Sequence, residues 1–456
     1  MISSRLFLAF LALLALFGFA YYFEVYLDAK KEQAKLSYSK ILSVKKDKIG
    51  TITIKKKGYE IFLEKKGSHW FIEKPISYLA SQDEVESLFN TLLDMKKNDE
   101  LRPTDYLSPL DYGISSESPE IILSMDDGKK IKLRMGKKAP IDYAQYISVG
   151  KDDNIILADT VLNYIVDKEV DQYRERRLFV SDADKPVAVS IATKEYDLEL
   201  TYEGDQWKVK GPKRDVSYDE SEISLLGSSL EKLKKAEFLD VVSNKIKERI
   251  KKTEELARFK IADKGGDLKV LHIGPKKENN YMALLEPKDE VFLLSEYDVK
   301  SILKTPDELR KKAIFSISRD EVNEIGINRY VSKALKKAIK IQKTRDGGYR
   351  IVEDKKAKDS KIDLAMFVDD LLNVKARSFI SKPSEHIEHY GLDDPDFKIT
   401  IKTKKVSLTD IKVKQKKEAG GVKTLMLLSD KDIIYEIDPF LLDRLKRLTE
   451  ETEVTK

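Results

Sequence analysis

Of the four histidines in this chain, two stand together in Glu385-His386-Ile387-Glu388-His389, with imidazoles at i and i+3 and a carboxylate before each. On one helix face such a set could hold a metal ion. The spacing is not that of a zinc-protease helix and no third ligand is identifiable. We therefore expect a surface turn there and no metal site, His386 and His389 being the pair that would form one. His69 and His272 stand apart from any recurring partner, which makes them poor choices for acid–base work. The third region of the chain carries a lysine surplus, in Val331 to Arg345 and in Val413 to Lys423. Lys414, Lys416 and Lys417 are its densest group. They read as a solvated strand face or as a surface for anionic lipid, polysaccharide or an acidic partner.

Other chemistries are excluded by what is missing. The chain has no cysteine, which removes disulfides, thiolate nucleophiles, cysteine-bound zinc, iron–sulfur clusters and a lipoprotein anchor. It carries neither a phosphate-loop motif nor a dinucleotide fingerprint after a strand. Gly227-Ser228-Ser229 lacks the nucleophile-elbow pattern and falls inside an expected helix. No acidic pair flanked by aromatics recurs, although a carboxylate hydrolase is not excluded by acidic residues this abundant. Lysine and arginine (84) exceed aspartate and glutamate (79) by only +5 over 456 residues, with the signs interspersed. A nucleic-acid surface would concentrate that charge, so none is expected. No cofactor and no catalytic residue is expected either.

The elements that could position a site begin with Leu6 to Phe23, a run of 18 residues without charge or proline. As a helix it would extend roughly 27 Å, enough for a hydrocarbon core of about 30 Å. We read 1–5 as a short N-terminal segment, 6–23 as an uncleaved transmembrane anchor rather than a cleaved signal, and 24–43 as a charged stalk. The body is placed outside the cytoplasm, because large C-terminal domains translocate largely regardless of flanking charge.

The body repeats itself, in three α+β modules with mostly antiparallel sheets over 44–180, 187–315 and 322–448, followed by a polar tail at 449–456. In the first, alternating strands lead into Trp70-Phe71-Ile72-Glu73-Lys74-Pro75. The amphipathic stretch Ser81–Lys97 follows, with Ser81 and Asp83 as cap candidates. Tyr112-Gly113 then precedes a hairpin led by Pro119, and the module closes on a helical segment ending at Phe179. In the second module Trp207 and Pro212 mark the same joint, and the closing segment is Asp298 to Phe315. In the third Tyr349 replaces the tryptophan and the proline is lost, while Tyr390-Gly391-Leu392 and Pro395 return. Tryptophan at a strand end covers the following helix, proline stops the ladder, and glycine suits a turn with positive φ. These nine residues, Trp70, Pro75, Gly113, Pro119, Trp207, Pro212, Tyr349, Gly391 and Pro395, are thus expected to be structural.

This order of strand pair, W-x-[IV]-x-x-P, amphipathic helix, proline-led hairpin and arginine-rich closing segment resembles the family called domain of unknown function 4340, over Val44 to Leu448. The resemblance implies a bacterial protein with one N-terminal span and an extracytoplasmic body at the cytoplasmic membrane. It also implies partners in ABC-type export or gliding-motility-type systems, and it brings no catalytic motif. The expected function is a non-enzymatic scaffold or adaptor subunit. The alternative is an envelope-anchored glycan- or lipid-binding module, and a hydrolase using His386 and His389 or a carboxylate pair ranks below both.

Overall fold

A computed structural model describes residues 19, 21–22, 40–101, 108–140, 144–150, 154–210, 216–353, 356–358, 362–381, 387–404, 407–418, 421–428 and 433–451. The apolar run Leu6–Phe23 lies outside them apart from Phe19, Tyr21 and Tyr22, which are exposed. Among the described residues no helix is long and apolar enough to cross a membrane.

Three antiparallel sheets of nine, eight and nine strands share one strand order. In the first, Tyr78–Leu79, His69–Lys74, Tyr59–Lys66 and Ile49–Lys56 form a meander. Glu120–Met125, Lys130–Lys138, Ala144–Val149 and Ile155–Asp159 continue it, and Lys97–Leu101 closes the far edge. In sequence, the helix Gln82–Asp94 follows the strand at one edge and precedes the strand at the other. Period-two alternation buries Ile52, Ile54, Ile61 and Leu63 on one face, where they form one core with the helical Val85, Leu88, Phe89 and Leu92. Ser81 is the cap used: its hydroxyl accepts from the Glu84 N–H at 3.3 Å. The second sheet repeats this with Val189, Ile191, Leu198 and Leu200 beside helix Glu220–Glu231, capped by Asp219. The third does so with Ile325, Ile327, Ile339 and Ile341 beside helix Leu364–Leu372, capped by Asp363.

The chain divides into two compact units, Met1–Arg177 and Leu178–Lys456, the second containing the second and third sheets. That boundary cuts the expected closing segment. Helices end at Asp167 and Tyr173, and Arg174 then pairs with Ala80 in a β-bridge while the Glu175 N–H donates to the Leu79 carbonyl. Leu178 and Phe179 belong to the core of the second sheet, where the Leu178 N–H donates to the Leu233 carbonyl at 3.1 Å. The next boundary behaves alike: Arg310 bridges to Tyr218 of the second module, whereas Ile314 and Phe315 lie in the core of the third. What reads in sequence as the end of each module therefore includes the lead-in segment of the next. The first module has its own lead-in: the Ile41 N–H donates to the Met95 carbonyl and Leu42 is buried, so 40–42 belong to the body rather than to the stalk. At the other end the helix Phe440–Glu451 runs past Leu448, and Thr449 is buried with its hydroxyl donating to the Leu445 carbonyl, so the polar tail starts later than its composition indicates.

Candidate functional site

The repeated tryptophans are core residues. Trp70 is buried in strand His69–Lys74, its ring 5.5 Å from that of Phe89, and its backbone N–H donates to Gln82 Oε1 at 3.1 Å. Pro75 follows the last ladder residue, across a cis Lys74–Pro75 bond. Trp207 is buried against Gly227 of the following helix so closely that a Cβ on Gly227 would stand 2.1 Å from the indole. Pro212 lies outside the described residues. Tyr349 does a different job at the same joint: its hydroxyl sits 2.7 Å from the Arg319 carbonyl and 3.2 Å from that of Val322, and burial pushes its pKa up. Gly113 (φ 73°) ends the turn Pro109–Tyr112, where a Cβ would meet the Lys137 nitrogen at 2.8 Å. Gly391 (φ 71°) ends the matching turn Ile387–Tyr390. Pro119 accepts from the Met135 N–H at 2.9 Å, and Pro395 is buried two residues before its strand.

The charged candidates are largely engaged within the fold. Lys414 Nζ donates to the Asp394 carbonyl at 2.6 Å and to Asp396 at 3.2 Å. Lys416 reaches the His389 carbonyl, pairs with Glu418 at 3.2 Å and lies over the Tyr390 ring. Lys417 is exposed with no partner among the described residues. His389 is exposed in its turn and His386 lies outside the described residues, so the pair has no described geometry. No cluster of three or more His, Asp or Glu suited to a metal occurs among the described residues. His69 is exposed beside Ser68.

Two features of the second module were not legible as sites. His272 is buried, with Nδ1 2.6 Å from Glu255 and Nε2 3.4 Å from Glu286. Arg258 holds Glu255 at 2.7 Å, while Lys251 holds Glu286 at 2.6 Å. The lysine keeps the Glu286 carboxyl below its ordinary range. Each carboxylate thus already has a cation, and the imidazole joins two closed ion pairs. Beside this network opens a cavity of about 540 Å³. Its walls include Tyr196, Leu256, Pro275, Tyr281 and Leu303, brought together by a hairpin turn, the end of the π-turn Arg249–Thr253, a register shift between Ile273 and Lys276, and the chain after helix Glu296–Ile302. That volume falls in the range of small-molecule sites.

Comparison with known proteins agrees with the repeat. The family model described as Domain of unknown function (DUF4340) matches residues 70–249 and 207–367, and the two matches open on Trp70 and Trp207. No curated protein and no solved structure matches the chain.

Proposed function

We propose that this chain, which belongs to the family of the domain of unknown function (DUF4340), is a non-enzymatic scaffold or adaptor subunit, anchored in the bacterial cytoplasmic membrane with its body outside the cytoplasm. In this reading it serves an ABC-type transporter or gliding-motility-type envelope complex. One observation carries the scaffold reading. The second and third modules share their junction: Ile314 and Phe315 pack in the third core, and the Arg310 guanidinium lies 4.2 Å above the ring of Phe379. A connector buried in the next module fixes two surfaces with respect to each other, as an adaptor requires. The anchor rests on the uncharged run Leu6–Phe23. Lysines already tied to carboxylates and carbonyls favour specific protein contacts over a general anionic surface.

Crosslinking in intact cells, followed by purification of the full chain through a C-terminal tag, tests the proposal. Membrane-transport subunits are expected among the crosslinked partners, and their absence under several detergents overturns the scaffold reading. Protease added to spheroplasts is expected to digest the body. Survival of the body alongside digestion of a known external domain overturns its placement.

A further inference from the structure

The first and second modules carry a tyrosine at the same place. Tyr59 follows the hairpin turn after Ile54, as Tyr196 follows the turn after Ile191, and the pairs Ile54 with Ile61 and Ile191 with Leu198 fix the register. In the first module the Tyr59 hydroxyl accepts the backbone N–H of Val170 at 2.9 Å, four residues before Arg174. The bridges of Arg174 to Ala80 and of Arg310 to Tyr218 make those arginines equivalent, so Pro306 stands where Val170 stood. Proline has no N–H to give. The Tyr196 hydroxyl has no hydrogen-bond partner among the described residues, and it lines the 540 Å³ cavity together with Tyr281, whose hydroxyl is equally unengaged among them.

The charges around this cavity are spoken for. Glu254 is held by Arg249 at 2.6 Å, Glu255 by Arg258 and His272, and Lys276 by Glu296 at 2.9 Å. Lys194 and Glu195, adjacent at the rim, cancel in sign. What remains for recognition is a pair of phenol hydroxyls on a wall of tyrosine rings, Leu256, Pro275 and Leu303. An ionic ligand would find only the adjacent Lys194 and Glu195, of opposite sign, at the exposed edge, and a purely apolar one would strand the hydroxyls without partners. A sugar ring meets both demands, with C–H faces for the rings and hydroxyls for the phenols. We propose that the second module binds a neutral saccharide in this cavity, a site independent of the scaffold role.

The test uses the full chain in a detergent without a sugar headgroup, titrated calorimetrically with tetra-N-acetylchitotetraose, cellotetraose, maltotetraose and, as the charged control, tetragalacturonate. At least one neutral tetrasaccharide is expected to bind saturably and more tightly than the control. Tyr196→Phe is expected to weaken it about tenfold, the loss of one hydrogen bond to a ligand, with the melting temperature unchanged. Leu256→Trp, at an exposed rim position, is expected to block binding by filling the cavity, and Tyr59→Phe to leave it untouched. Failure of all three neutral sugars at millimolar concentration overturns the proposal. So does tighter binding of the charged control, or binding that survives both Tyr196→Phe and Leu256→Trp.

Discussion

The first and second modules fill the same joint in opposite ways. Where the first sets Trp70 against Phe89, two rings tilted by 60° at 5.5 Å, the second sets Trp207 directly on the helix backbone at Gly227. Counting from the capping residues Ser81 and Asp219, Phe89 and Gly227 occupy the same helical position. The strand tryptophan is the constant and the helix residue the variable. The helix gives up a side chain and the indole comes closer, with the Tyr202 ring edge-on to it at 5.5 Å. The strand-to-helix contact is thus kept at the joint while the pair of side chains is not, and beside the Trp207 indole a pocket of about 270 Å³ lined by Ser224 and Ser228 stays open.

The largest effect expected from breaking this comparison is that of Phe89→Ala. It opens a cavity beneath a fully buried ring and is expected to cost about 3–5 kcal/mol. Amide hydrogen exchange checks it: protection should fall in His69–Lys74 and Gln82–Asp94 and stay unchanged beyond Leu178. Retained protection in Gln82–Asp94 would mean that Trp70 collapses onto the helix as Trp207 does. Gly227→Ala comes next and sharpens the contrast, because two effects oppose each other. Helix propensity favours alanine by about 1 kcal/mol. Overpacking against the indole, 2.1 Å from where the new Cβ would stand, costs about 1–3 kcal/mol, so net destabilisation is expected in exchange from Glu220–Glu231. A gain in protection there would show that Trp207 can leave its slot.

Much of this was readable from sequence because it is local. The Ser81 cap, the helical spacing of Val85, Leu88 and Phe89, the strand alternation and the turn at Gly113 each depend on residues within a few positions. What escaped depends on partners far along the chain. Hydrophobicity at Leu178 and Phe179 signals burial but not in which core, and a helical reading carried them into the wrong module. Lys414 and Lys416 looked like surplus charge until strand pairing laid them over Asp394, Asp396 and Tyr390. The cavity follows from Tyr196 facing the chain near Pro306, more than a hundred residues apart. His272 gains meaning only when the strand ending at Glu286, the π-turn carrying Lys251 and the chain at Glu255 come together around it.

A smaller effect separates the two tyrosines. Tyr59→Phe deprives the Val170 N–H of its acceptor and is expected to cost about 1 kcal/mol. Tyr196→Phe removes a hydroxyl with no partner among the described residues, and should change stability by less than about 0.5 kcal/mol. Thermal denaturation of the two variants side by side checks the difference. Equal losses would mean that Tyr196 has a structural partner and that Pro306 did not release it.

The smallest effect is a difference in titration. Burial pushes the Tyr196 phenol up to about 12, and Glu308 and Glu195 add to the shift by opposing the phenolate. Burial also raises Tyr59, but there the Val170 N–H works in the other direction, because a donor to the oxygen stabilises its anion. An unfolded tyrosine titrates near 10. Between about pH 10 and 12 the unfolded chain has released this proton while the folded one retains it, so Tyr196 makes stability fall as pH rises through that window and contributes no slope below it. Phenolate absorbance, compared between the wild-type chain and each phenylalanine variant, should assign the higher-pH step to Tyr196 and the lower to Tyr59. The reverse order would place a donor on Tyr196 and remove the distinction between a tyrosine engaged by its own fold and one left open to a ligand.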